Sequence, residues 1–191
     1  MGGVPIIDPN DPASISKWES STYNFADAKI ELRKLRYLHG PLGNAEPKEE
    51  TPVAIQVYDA KSNGIAAEQE AAINNLVENE LAIHKAIRKA VYRHYEQSYP
   101  AWKQGLTLGA AMFGGADEIE EILPKVTKGN ELDSLISFIT IYVHPPKDGV
   151  SCIGLDLLIP CDEENGLGIR IEGDKILAIG TAHEAFPVPD L

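Results

Sequence analysis

Apolar and polar positions alternate most clearly in the C-terminal third of the chain. Ile139, Ile141 and Val143 alternate there with Phe138, Thr140, Tyr142 and His144. Successive strand side chains point to opposite faces, so this pattern predicts a half-buried strand. After a loop at Pro145-Pro-Lys-Asp-Gly149, Ile153, Leu155, Leu157 and Ile159 share one face. Cys152, Gly154, Asp156 and Leu158 share the other. Asp162-Glu-Glu-Asn-Gly166 makes a second turn, and Leu167, Ile169 and Ile171 then alternate with Gly168, Arg170 and Glu172. Gly173-Asp174 suits a two-residue hairpin, because glycine tolerates the positive φ such turns demand. Loops of five, five and two residues predict the pairs Ile141–Ile153, Ile139–Leu155, Ile159–Ile169, Leu157–Ile171, Ile171–Ile176 and Ile169–Ala178. All fall on one face, and a one-residue slip would scatter them. The prediction is a four-stranded antiparallel meander with a continuous apolar surface.

The period changes to 3.6 upstream. Over 66–97 no Gly or Pro occurs, and Ile73, Leu76, Val77, Ile83, Ile87, Val91 and Tyr95 fall on one helix face. An unbroken helix of that length would run about 48 Å, so a bend or break is expected near Asn79, and Pro100 is expected to end it. The glycine-rich stretch 101–118 reads as a connector. Gly109 and Gly114 have the spacing of a phosphate loop, but Gly115-Ala116 stand where Lys and Ser/Thr are required. Asp117 to Leu123 predicts a short acidic helix stopped at Pro124. Towards the N-terminus, 28–38 alternates with a slip at Lys34, and Val53, Ile55 and Val57 form another strand. Residues 1–27 read as an irregular lead-in with a short strand between Trp18 and Phe25, residues 28–186 as one domain, and 187–191 as a tail. The expected class is α+β: an antiparallel sheet, made of the C-terminal meander plus N-terminal strands, packed on one face by the long amphipathic helix.

Composition narrows the function classes. The net charge is −12, and residues 101–191 hold 15 acids against 6 bases, whereas residues 1–100 hold 14 against 11. Such a field disfavours nucleic acid and anionic membrane and favours a basic protein partner. No apolar run is long enough to span a membrane. The start Met-Gly-Gly-Val-Pro-Ile-Ile-Asp lacks the basic and apolar regions of a signal peptide, so a cytoplasmic location is expected. Cys152 and Cys161 are an odd number of residues apart and would face opposite ways on a strand, as two small buried hydrophobes rather than a redox pair.

Candidate chemistry lies in two places. The polar face of the meander carries Tyr142, His144, Asp156, Arg170 and Glu172, with Asp156 and Glu172 expected opposite one another. That face reads either as a binding surface or, more simply, as a solvated sheet face. The acidic turn carries Asp162, Glu163 and Glu164. Glu80 and His84 sit one turn apart on the apolar helix face, as a hydrogen-bonded buried pair in preference to a metal pair. No catalytic set, metal site or cofactor motif can be assembled from these residues.

Leu123-Pro124, Ser134 to His144 and Cys161 to Phe186 together resemble a bacterial family known only as a domain of unknown function. Its strand ends in a Trp-Asp-Glu-Glu-His-Gly-Leu-Gly-Val-like motif followed by a Gly-Asp hairpin. Here Cys161 stands for the Trp and Asn165 for the His, so no role of that His transfers. Glu68-Gln69 resembles the opening of the family's helix. The resemblance implies a cytosolic protein without an assigned activity, sometimes found beside toxin–immunity systems.

The expected function is a non-enzymatic, immunity-like binding protein whose acidic half captures a basic partner. A metal-dependent or acid–base enzyme using Asp162, Glu163 and Glu164 is the alternative, and a structural module of a larger complex is a third.

Overall fold

The structure, a computed structural model, describes residues 6–7, 19–20, 25–30, 32, 53–60 and 64–187. Its centre is a sheet of six strands of six or seven residues: β3 (Phe25–Ile30), β4 (Val53–Tyr58), β5 (Ser137–Val143), β6 (Ile153–Leu158), β7 (Leu167–Glu172) and β8 (Lys175–Gly180). They lie side by side in chain order, and two-residue strands β1 (Ile6–Ile7) and β2 (Glu19–Ser20) both pair with β3. The sheet is mixed, not wholly antiparallel as expected, because β4 and β5 run parallel, with Ile55 beside Ile141 and Val57 beside Val143. Two parallel neighbours need a crossover, and here the helices provide it.

Helix α1 (Ala67–Glu78) and helix α2 (Glu80–Phe113) form that crossover. The break falls at Asn79 (φ −105°, ψ 17°), where it was expected. The start of α1 is fixed by Gln69, which is buried. Its Oε1 accepts from the Ala66 amide at 3.0 Å, and its Nε2 donates to Tyr58 O (2.8 Å) and His144 O (3.1 Å). One side chain thus ties the helix to the ends of β4 and β5.

Pro100 does not end α2, which runs on through the expected connector to Phe113. Proline lacks the N–H that would bond the carbonyl four residues back, here that of Glu96. Both Pro100 and Glu96 are exposed, so water can satisfy that carbonyl. Beyond Pro100 the helix is held by Trp102, whose ring lies 5.7 Å from that of Tyr95, and by Leu106 against the core. Tertiary packing outweighs a local breaker there. The short acidic helix α3 (Ile119–Ile122) forms as predicted, and Tyr95 Oη donates to Pro124 O at 2.6 Å just beyond it.

The meander pairs in a different register from the one predicted. Ile141 lies opposite Leu155 instead of Ile153, and Leu157 opposite Leu167 instead of Ile171. The hairpins do not close where the polar turns suggest. Between β5 and β6 the ladder continues through the His144 amide to Cys152 O, and a bridge links Lys147 to Val150. Asp148 (φ 53°) and Gly149 (φ 79°) alone form the tip. Between β6 and β7 a 3-10 turn (Pro160–Asp162) lengthens the connection. Only Ile171–Ile176 pairs as predicted; a bulge then sets Ile169 against Ile179 instead of Ala178. Another bulge between Phe138 and Thr140 leaves Ile139 exposed instead of facing Leu155. The partners of Ile141 and Leu157 are shifted by two and four residues, even numbers that keep those side chains on the core face, while the bulge at Ile139 turns a predicted core residue out. Val53, Ile55, Val57, Ile141, Val143, Ile153, Leu155, Leu157, Ile169 and Ile171 are buried in one cluster with Ile73, Leu76, Ile83, Ile87 and Val91 of the helices.

Of the predicted strand over 28–38, residues 28–30 belong to β3, and the slip at Lys34 lies outside the described residues. Most of the stretch between Trp18 and Phe25 lies outside them too.

Candidate functional site

The second face of the sheet is not simply solvated. Its central positions on β6 and β7 are Gly154 and Gly168, and a strap of 3-10 turn (Ala182–Ala185) lies directly on them. A Cβ on Gly154 would stand 1.7 Å from Ala185 O, and one on Gly168 2.4 Å from Thr181 O. Only glycine permits that approach of backbone to sheet. Ala185 is fully buried, Phe186 packs on Tyr142 with ring centroids 4.8 Å apart, and Ala182 N donates to Asn165 O at 2.8 Å.

Beneath and beside the strap lie three of the predicted polar residues. His144 is buried, and its Nε2 lies 2.8 Å from Ala185 O. A carbonyl only accepts, so Nε2 carries the proton. Burial holds this imidazole below its ordinary pKa, with the Arg170 charge acting the same way and the bond to Ala185 opposing. Asp156 is buried opposite Thr140 and Gly168, with Tyr142 Oη donating to its Oδ2 at 3.5 Å. Burial raises the Asp156 pKa, and the Tyr142 hydroxyl partly offsets this. The Tyr142 phenol is pushed up to about 12, first by burial and then by the Asp156 charge. The predicted opposition of Asp156 and Glu172 does not occur: Glu172 pairs with Lys175, since the longer β6–β7 connection moves the register by four residues.

Next to the strap the face opens into a cleft of about 720 Å³. Tyr58, Asp59, His144, Pro145, Pro146, Lys147, Asp148, Val150, Cys152, Arg170, Glu172, Leu177 and Pro187 line it. Arg170 binds Glu184 of the strap at 3.3 Å and so joins the cleft wall to the cover. The rings of Tyr58 and Tyr142 meet edge-on at 6.0 Å. Cys152 is half-buried here and not a core residue, whereas Cys161 is buried in the core; both are free thiols. Burial and the Glu172 carboxylate raise the Cys152 thiol, with Arg170 opposing, so it is held as a thiol at neutral pH. Tyr58, Asp59 and the proline pair were not singled out in the sequence as site residues, and Cys152 was read there only as a small buried hydrophobe. Asp59, in a left-handed conformation (φ 59°), was the one visible signal, as a turn residue closing β4.

The acidic turn lies at the other end of β6 and takes no part in the cleft. Asp162 Oδ1 accepts from Asn165 Nδ2 at 2.7 Å, and Oδ2 accepts from the Trp102 indole at 3.2 Å. This carboxylate clasps the turn to α2. Burial lowers the pKa of His94, whose ring lies 5.8 Å from Trp102, against the Asp162 charge, which raises it. Glu163 and Glu164 are exposed to solvent. On the apolar helix face Glu80 and His84 are both buried, and His84 Nε2 lies 3.5 Å from an Arg88 nitrogen; Arg88 in turn pairs with Asp133. Among the described residues no three His, Cys, Asp or Glu side chains converge to hold a metal ion, and no helix is long and apolar enough to cross a membrane.

A family model described as a domain of unknown function, DUF6985, matches residues 37–186. No curated protein and no solved structure matches the chain. The match takes in β4 to β8, helices α1 to α3 and the strap, and with them all of the described cleft but Pro187. The sequence resemblance pointed to a domain-of-unknown-function family, and at that level it holds. The chain belongs to the DUF6985 family.

Proposed function

We propose that this domain is a binding protein whose polar-face cleft takes a basic segment of a partner protein. The observation that carries this reading is the lining of the cleft. Its carboxylates Asp59, Asp148 and Glu172 outnumber its cations Lys147 and Arg170, Arg170 is already paired with Glu184, and Tyr58 and a proline pair stand beside them. Carboxylates beside an aromatic face suit a lysine or arginine side chain, through charge-assisted hydrogen bonds and cation–π contact. The acidic C-terminal half would raise the on-rate for such a partner. In this form the protein acts as an immunity-like capture partner. An acid–base or metal-dependent reaction at the acidic turn is the weaker reading, since both oxygens of Asp162 are engaged structurally and Glu163 and Glu164 face solvent.

The test is fluorescence anisotropy with labelled Lys/Arg-rich and Asp/Glu-rich peptides of equal length. The basic peptide is expected to bind, more weakly as salt rises. The pair Asp148→Lys and Glu172→Lys should weaken it at least about tenfold, the scale of one binding hot spot. Glu163→Lys with Glu164→Lys makes the same charge change at the far end of β6 and should do much less. Equal losses from the two pairs would reduce the binding to bulk charge and remove the cleft from it.

A further inference from the structure

The last three turns of α2 end in the largest exposure of apolar side chains among the described residues. Leu108 is 60% exposed, Met112 71% and Phe113 85%. At 100° per residue these three, with Gly105 and Gly109, cover about 140° of the helix circumference. Outside the helix's own nearby backbone, neither glycine has an atom within 4 Å of where a Cβ would stand, so both offer open backbone. Leu106 borders this face, about 20° from Phe113 on the same wheel, and is half-buried against the core. The face therefore carries protruding side chains and recesses on the same surface.

We infer that this face is a self-association surface, on which α2 of one copy crosses α2 of a second copy at Gly105 and Gly109. Two features select a second copy of this chain. First, a two-fold contact presents one patch to itself, so the patch must hold both knobs and holes; Leu108, Met112 and Phe113 are the knobs, and the glycines are the holes. Second, from Gln104 to Ala116 the chain carries no charged residue, although its net charge is −12. Two such chains repel one another wherever their acidic surfaces meet, and this helix end is where they can approach without that cost. Exposed apolar area of this kind on a soluble surface marks an interaction site. Three turns of crossed helix bury less than the roughly 800 Å² per partner of a standard stable interface, so the dimer is weak and concentration-dependent.

Sedimentation equilibrium of the full chain over a range of concentrations tests this. The wild type should show reversible monomer–dimer exchange, tightening as salt screens the like charges; the basic-peptide binding proposed above should weaken with salt, so the two readings fail separately. Leu108→Glu with Phe113→Glu should raise the dissociation constant at least about tenfold; both positions are exposed, and unchanged thermal unfolding would confirm folding. Gly109→Leu discriminates further. It adds apolar surface, so non-specific adhesion would tighten, while a crossing seated on glycine would weaken by a similar factor. A wild type that stays monomeric at every concentration, or a tighter Gly109→Leu dimer, overturns the inference.

Discussion

Replacing Gly154 by alanine should peel the strap from the sheet. The added Cβ would stand 1.7 Å from Ala185 O, 2.6 Å from Ala185 C and 2.9 Å from His144 Nε2. Two of these atoms are backbone, so no side-chain rotation relieves the clash, and 182–186 must lift. Lifting it loses the buried His144–Ala185 hydrogen bond, at about 1–3 kcal/mol. It also separates Phe186 from Tyr142, at about 0.5–1.5 kcal/mol. Alanine is better than glycine in a strand by about 0.5–1 kcal/mol, which works in the other direction. The net loss spans about 0.5–4 kcal/mol and centres near 2, or about 1 M in the urea midpoint. Urea unfolding followed by tryptophan fluorescence measures it, and amide exchange at 181–187 should rise together with it. Gly105→Ala, where the Cβ meets nothing, serves as the control at concentrations too low for self-association and should there be neutral or slightly stabilising. A Gly154→Ala variant within about 0.5 kcal/mol of wild type, with 181–187 still protected, would refute the seating of the strap.

Trp102→Phe should cost about 1 kcal/mol by removing the indole donor to Asp162, and the cost of Asp162→Asn should shrink in that background, as a double-mutant cycle would show. In Asp162→Asn alone the His94 imidazole should titrate lower by NMR, because the Asp162 charge that raises it is gone. His144 has a folded pKa depressed below its ordinary 6.5. The unfolded chain therefore binds this proton more readily, and the stability it reflects is present above pH 6.5 and lost as pH falls through the folded value. His144→Gln should flatten part of that slope in thermal unfolding, leaving the part due to His94.

The acidic turn shows how far a motif carries. Its residue types, acids beside Asn-Gly, suggest chemistry, yet its hydrogen bonds assign Asp162 to a clasp on Trp102, a residue placed there only because α2 passes Pro100. The cleft was half legible: His144, Arg170 and Glu172 were singled out and do line it. Tyr58 and Asp59 were not, since they reach it through the parallel pairing of β4 with β5, and Cys152, placed on this face by its alternation, was read as a buried hydrophobe instead of part of a cleft. Tyr142 and Asp156, predicted for the same surface, are covered by a strap whose position depends on two glycines facing a distant segment.

By itself, the sequence determined which faces are apolar, where helix and strand periods change, and that the long helix breaks at Asn79. Those follow from side-chain alternation and local propensity, which need no partner. A period of two defines register only up to an even shift. Hairpins that close away from their polar turns therefore moved the pairing of β6 and β7 and kept Leu155, Leu157, Ile169 and Ile171 in the core, while a bulge alone turned Ile139 out. The tertiary structure alone decided that register, the parallel β4–β5 pair, the helix through Pro100 and the strap on Gly154 and Gly168. Each depends on contacts between residues far apart in the chain, whose energies outweigh the local preferences a sequence displays.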